Sequence, residues 1–105
     1  MIVSVQGELD HSTAPILRER LNLVDEVSAP SGQFVVDLSD VGFIGSIALA
    51  LLVDVQRRCD GRGVALAVVA TGRVVPRAIQ ITGLDQILAV HPTVDEAIDG
   101  NNVER

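Results

Sequence analysis

Lysine is absent from this 105-residue sequence, and its only aromatic residues are Phe34 and Phe43. Without lysine the chain cannot form a P-loop, a Schiff-base enzyme or the lysine-dependent phosphoacceptor site of receiver domains. Two phenylalanines cannot build the stacking platforms that bind single-stranded nucleic acid. The formal net charge of −6 also argues against binding to a phosphate backbone, and it favours a protein partner with a basic patch.

Other absences bear on the cellular compartment and on the class of protein. Cys59 is the single cysteine, so no intrachain disulfide forms and a cytoplasmic setting is expected. No apolar run reaches the length of a membrane span, and the first residues lack a signal-peptide pattern. Glu8 and Asp10 have the spacing of an acid pair, but no catalytic histidine, lysine or metal cluster lies nearby in sequence. We therefore expect no enzyme, cofactor, metal site, nucleic acid or membrane.

Hydrophobic residues make up 48% of the chain, enough for the core of one domain over residues 1–105, with a polar tail from about residue 100. Strands are predicted at residues 2–5, 33–38, 64–70 and 86–90. Helices are predicted after an N-cap at Ser12, from Ser46 to about Cys59, over residues 74–82 and after Thr93. This alternation predicts an α/β fold with a mostly parallel sheet of four to five strands and about four helices, in an order the pattern does not specify.

Ser46 interrupts the apolar run DVGFIGSIALALL, residues 40–52, where the second strand turns into the second helix. One interpretation is structural, with the hydroxyl accepting a free amide at the start of the helix. The other is functional: a phosphate on Ser46 would lie at a helix N-terminus, which tolerates negative charge, and would change which partner docks. The residue pattern leaves both open.

Three segments carry a wider pattern over nearly the whole chain. The first is GELDHSTAPILRERL, residues 7–21; the second is FVVDLSDVGFIGSIALALLVDVQRRC, residues 34–59; the third is TGRVVPRAIQITGLDQILAVHPTVDEAI, residues 71–98. In this order and spacing the sequence resembles a STAS domain of the bacterial anti-anti-sigma factor type.

The resemblance implies a regulator that switches between protein partners. Such proteins bind an anti-sigma factor, usually a GHKL-type serine kinase, which phosphorylates the serine of the turn; a PP2C-type phosphatase reverses this. That serine corresponds to Ser46. The resemblance, together with position in the predicted loops, nominates the following partner-binding residues: Glu8, Asp10, His11, Thr13, Asp40, Gly45, Ser46, Ile47 and Arg73.

The turn itself departs from the family pattern of D-S-S/T-G, since it reads GSIA at residues 45–48. Gly45 stands where the family has the aspartate, Ile47 stands where it has a second serine or threonine, and Ala48 stands where it has the glycine. These departures favour an alternative function, a STAS-like scaffold subunit of a transporter or stress-signalling complex that is never phosphorylated.

Several positions keep two interpretations. Asp10 either contacts a partner or is a carboxylate at the start of the first helix that the helix dipole favours, and His11 is either part of that surface or a solvated loop residue. Arg73, with Arg77, either receives an anionic group or is solvated. The family's additional first strand is absent or very short here, which leaves an open sheet edge and predicts a homodimer that light scattering would detect.

Overall fold

Four parallel strands form one sheet in the computed structural model, which describes residues 1–102 and side chains as far as Asp99. The strands lie in the spatial order β1-β2-β3-β4, with bounds β1 Ile2–Leu9, β2 Gln33–Ile44, β3 Ala65–Val69 and β4 Val90–His91. The helices are α1 Ala14–Leu21, α2 Ser46–Arg62, α3 Val74–Ile81 and α4 Val94–Asn102, and short 3-10 turns span Asn22–Glu26 and Leu84–Gln86. The predicted α/β fold with a parallel sheet and four helices is confirmed.

The helices divide unequally between the two faces of the sheet. A strand order that increases in one direction places right-handed crossover helices on one face. Accordingly, residues of α1, α2 and α3 share one buried cluster with Phe34 and Val36 of β2. The opposite face is covered by α4, whose Ala97 packs with Val35 and Val69. The apolar run of β3 is therefore covered on both faces, as its sequence predicts.

The first two strands extend well beyond their predicted ends. β1 continues to Leu9 and β2 to Ile44, and the two stay paired through register irregularities between Ser4 and Gln6 and between Gly7 and Glu8. These irregularities break the simple alternation of buried and exposed residues, which is why the sequence pattern underestimates both strands. Their extra length carries the serine turn far past the end of β3.

A fourth strand is present as predicted, but its predicted bounds of residues 86–90 are wrong: only Val90 and His91 pair with β3. Gly83 adopts a left-handed φ of 77°, and the chain then makes a 3-10 turn. The Leu84 carbonyl oxygen accepts the amides of Ile87 and Leu88, at 2.9 and 2.8 Å. Those amides are used locally, so this segment cannot join the sheet.

The helix ends follow the sequence more closely. α2 ends at Arg62 and is capped by Gly63 in the left-handed conformation, as the DGRG sequence predicts. At α4 the Thr93 hydroxyl accepts the amide of Glu96 at 3.1 Å, which is half of the predicted capping box. The helix then runs to Asn102, into the segment predicted as a polar tail, and the last three residues lie outside the described range.

One edge of the sheet is formed by β1 in the part of the chain that the structure describes. The Arg20 guanidinium of α1 donates a hydrogen bond of 2.9 Å to the Ser4 carbonyl oxygen. One acceptor near this edge is thus occupied. None of the helices in the described part is long and apolar enough to cross a membrane.

Candidate functional site

The ends of β1 and β2 bring the GELD loop and the serine turn together. Leu9 is paired with Ile44 and Glu8 with Phe43 in adjacent strands. The Gly45 amide continues this ladder with a 2.8 Å hydrogen bond to the Leu9 carbonyl oxygen. Two segments that are 35 residues apart in sequence are therefore held side by side at the carboxyl edge of the sheet.

Asp10 organises the loop between β1 and α1. Its Oδ1 accepts the hydroxyl of Ser12 at 2.7 Å and the amides of Ser12 and Thr13 at 3.0 and 3.2 Å. The Thr13 hydroxyl donates to the Glu8 carbonyl oxygen at 2.8 Å and accepts the Asp10 amide at 3.0 Å. These bonds fix the loop from within.

The predicted N-cap at Ser12 is wrong. Thr13 occupies that position, and α1 begins at Ala14. Asp10 reaches forward to the amides of Ser12 and Thr13, and the Ser12 hydroxyl donates to its carboxylate instead of capping the helix. These hydrogen bonds, led by that of Ser12, lower the pKa of the Asp10 carboxyl below its ordinary value of 3.8. Asp10 is therefore ionised at neutral pH, and its Oδ2 accepts no hydrogen bond from the described residues.

Ser46 is the first helical residue of α2 and is exposed. Gly45 stands at the N-cap position, where no side-chain cap bond is formed. The structural interpretation of Ser46 as a capping hydroxyl is therefore wrong, because the side chain lies one position too late in the helix. Its hydroxyl makes no hydrogen bond within the described part of the chain, and it is open to a macromolecule that approaches this edge.

Two large apolar side chains flank Ser46. Phe43 is 46% exposed and Ile47 is 44% exposed. A Cβ built on Gly45 would stand 3.5 Å from the Phe43 ring, so the ring lies directly against the turn. Phe43 is not among the site residues predicted from the sequence, because it lies within the apolar run of residues 40–52 and carries no polar group. We call the patch formed by Glu8, Asp10, Phe43, Ser46 and Ile47 the Ser46 surface.

The remaining predicted site residues differ in their relation to this surface. His11 is exposed in the GELD loop, whereas Thr13 is partly buried and committed to the loop hydrogen bonds. Asp40 is exposed and lies opposite Gln6 in the sheet. It is about 13 Å before Ile44 along β2, and therefore away from the serine turn.

Arg73 lies away from the Ser46 surface. Its loop follows β3, whose last pairs are with the first half of β2, and the Thr71 hydroxyl donates to the Ser39 carbonyl oxygen at 3.4 Å. The opposite end of α3, at Thr82, is the end that approaches Ser46. α3 separates the two ends by about 12 Å.

A groove of about 500 Å³ extends from Ser46 along α2. Its walls include Leu49 and Val53 of α2 and Thr82 and Leu84 beyond α3. The Ser46 surface thus continues into a mostly apolar channel. Among the described residues no group of three or more histidine, cysteine or acidic side chains is placed to hold a metal ion.

Comparison with known proteins decides the family. The model of the STAS domain matches residues 1–97. The chain is a member of the STAS domain family. This confirms the resemblance seen in the sequence.

Curated STAS relatives support the assignment at the level of sequence. The anti-sigma-F factor antagonist RsfB of Mycobacterium tuberculosis is 35% identical over 99 residues, covering 94% of this chain and 79% of RsfB. Rv2638 of the same species is 34% identical over 102 residues, covering 93% of this chain. This STAS chain spans 66% of the length of Rv2638.

Solved structures give the same result. An anti-sigma factor antagonist from Mycobacterium paratuberculosis superimposes with a TM-score of 0.85 at 35% identity, covering 97% of this STAS domain and 85% of that chain. The unphosphorylated anti-sigma factor antagonist SpoIIAA superimposes with a TM-score of 0.71 at 18% identity, covering 99% and 90%. At that identity the second match supports the fold alone.

Proposed function

We propose that this STAS domain is a cytoplasmic anti-sigma factor antagonist that acts by partner switching. In the unmodified form it binds an anti-sigma factor of the GHKL serine kinase type through the Ser46 surface. Phosphorylation of Ser46 by that kinase weakens the complex, and a PP2C-type phosphatase restores it. The names of the similar mycobacterial proteins support the class of partner.

The observation that carries the proposal is the exposed, unbonded Ser46 hydroxyl beside the GELD loop. Phe43 and Ile47 give this patch apolar area for a protein partner, and the ionised Asp10 gives it polar specificity. A phosphate here would add about two negative charges to a patch that already carries Glu8 and Asp10. The cost of desolvating the phosphate, which would lie between Phe43 and Ile47, would weaken docking.

Ser46→Glu is expected to weaken binding to the kinase-type anti-sigma factor of the same organism by about tenfold, because it places a charge in the centre of the contact. Ser46→Ala is expected to bind as the wild type does. Isothermal titration calorimetry measures both. Ser28→Glu is the matched control, since Ser28 is exposed and precedes β2 at the opposite edge of the sheet. Equal affinities for Ser46→Glu and Ser28→Glu would show that Ser46 is not the switch.

A scaffold that is never phosphorylated is the second candidate. Ile47 exposes apolar surface where the family pattern has a second hydroxyl, which favours a lasting complex. The absence of an acidic side chain at Gly45 removes a feature that a kinase would recognise. If the domain is such a scaffold, we expect a stable partner to co-purify with it and the measured intact mass of the protein to show no phosphate.

Gly45→Asp separates the two candidates. The new Cβ would stand 3.5 Å from the Leu9 carbonyl oxygen and from the Phe43 ring, which is ordinary contact, and aspartate suits an N-cap position. If the domain is a kinase substrate, we expect the initial rate of Ser46 phosphorylation to rise about tenfold, measured with the purified kinase.

Gly42→Asp is the control for Gly45→Asp, because a Cβ at Gly42 meets nothing within 4 Å and the added charge is the same. Phosphorylation that is undetectable in the wild type and in both variants would favour the scaffold. Equal rates for the two variants would show that the position of the charge is irrelevant.

A further inference from the structure

A second groove lies at the start of α3, away from the Ser46 surface. It has a volume of about 360 Å³ and is lined by Gly72, Arg73, Pro76, Arg77 and Gln80. Both arginines are exposed. No acidic side chain lines this groove, although the molecule as a whole carries a net charge of −6.

The two arginine side chains make no ion pair or side-chain hydrogen bond with the described residues. Three other arginines are engaged: Arg58 pairs with Asp25 at 2.7 Å, Arg62 donates to two backbone carbonyls, and Arg20 donates to another. Arg18 and Arg57 are exposed and have no such contact with the described residues either, but they do not line this groove. Asp85 is the acidic residue nearest to Gln80 in sequence, but it lines a neighbouring groove, which shares Pro76 and Gln80 with this one and includes neither arginine. The guanidinium groups of this groove are therefore available to an external anion.

We infer that this groove is a second docking surface, which takes an acidic segment of a protein partner. Arg73 and Arg77 are four residues apart, so their side chains emerge about one helical turn from each other. Guanidinium groups bind carboxylates in bidentate pairs. Two carboxylates in one segment, one for each arginine, fit this spacing.

A nucleic acid is the less suitable occupant. The net charge of −6 repels a long phosphate backbone. No aromatic side chain lines the groove to stack a base. A short acidic segment offers carboxylates, which guanidinium groups bind in bidentate pairs, and it needs no stacking surface.

The inference about the groove at the start of α3 does not rest on the proposed function of Ser46. Arg73 and Ser46 line two different grooves. The test therefore uses no anti-sigma factor, and its outcome is independent of the Ser46 experiments.

The probe is an octaglutamate peptide titrated into the ¹⁵N-labelled protein, followed by amide chemical shifts. We expect shifts centred on residues 72–80, and an affinity that falls as NaCl is raised from about 50 to about 300 mM. The double variant Arg73→Gln/Arg77→Gln is expected to bind at least about tenfold more weakly. The double variant Arg18→Gln/Arg57→Gln removes the same charge from other exposed positions and is expected to bind as the wild type does.

Any of the following three outcomes would overturn the inference. Shifts that are absent, or that are spread over all arginine-bearing surfaces, show that the groove is not a site. Equal weakening by the two double variants shows that only total charge matters. A single-stranded oligonucleotide of eight phosphates that binds residues 72–80 more tightly than octaglutamate assigns the groove to nucleic acid.

Discussion

Phe34→Ala is expected to lower the free energy of unfolding by about 3–5 kcal/mol, which is a large part of the total stability of a small domain. Phe34 is fully buried in β2 and belongs to the cluster that joins α1, α2 and α3 to the sheet. Its ring is the largest of the fully buried side chains, and the neighbouring valines and leucines cannot close the space that it leaves.

Urea unfolding followed by circular dichroism measures this change. Cys59 supplies a second readout, because its thiol is buried and burial raises its pKa, so a thiol reagent reaches it only when the core opens. The matched control is the other aromatic residue: Phe43→Ala removes the same atoms from a half-exposed position and is expected to change stability by less than about 1 kcal/mol. Equal losses for the two variants would contradict the assignment of Phe34 to the core.

Phe43→Ala is expected to have its large effect on binding instead. If the Ser46 surface docks the anti-sigma factor, truncation of its one aromatic side chain should cost about 2 kcal/mol, or about thirtyfold in Kd. The ring is 46% exposed and lies against Gly45, next to Ser46 in the chain. Aromatic side chains commonly contribute most of the binding energy of an interface.

The binding measurement needs an apolar control of similar exposure. Ile2 is 48% exposed at the start of β1, toward the opposite edge of the sheet, and Ile2→Ala is expected to leave Kd within about twofold. A Phe43→Ala protein that is folded and binds with wild-type affinity would remove Phe43 from the interface. A parallel loss for Ile2→Ala would place the interface elsewhere.

Much of the fold could be predicted because its signals are local. The continuous apolar run of β3 indicates a strand buried on both faces, and Gly63 after α2 indicates a left-handed cap. The family could also be predicted, since the GELD segment and the turn at Ser46 keep their order and spacing. The strand and the cap depend on residues that are neighbours in sequence, and the family depends on the order of motifs along the chain.

What the sequence left open depends on partners distant in the chain. The sequence allows two interpretations of Asp10. Only the folded loop shows that its carboxylate accepts the amides of Ser12 and Thr13. Phe34 and Phe43 lie in the same strand, and only the register with β1 and the approach of the helices bury one and expose the other. The separation of Arg73 from Ser46 follows from β2 continuing seven residues past its last pair with β3.

The sequence by itself determined the parallel α/β class, the family and the serine at the start of α2. Apolar periodicity and the order of motifs are visible along the chain without knowing which segments meet in the fold. The tertiary structure alone decided that the Ser46 hydroxyl stands unbonded among Phe43, Ile47 and the GELD loop, and that two arginines form a groove of their own. Exposure is a property of what packs against a residue, and for these residues that is determined by strand register and helix packing between distant segments.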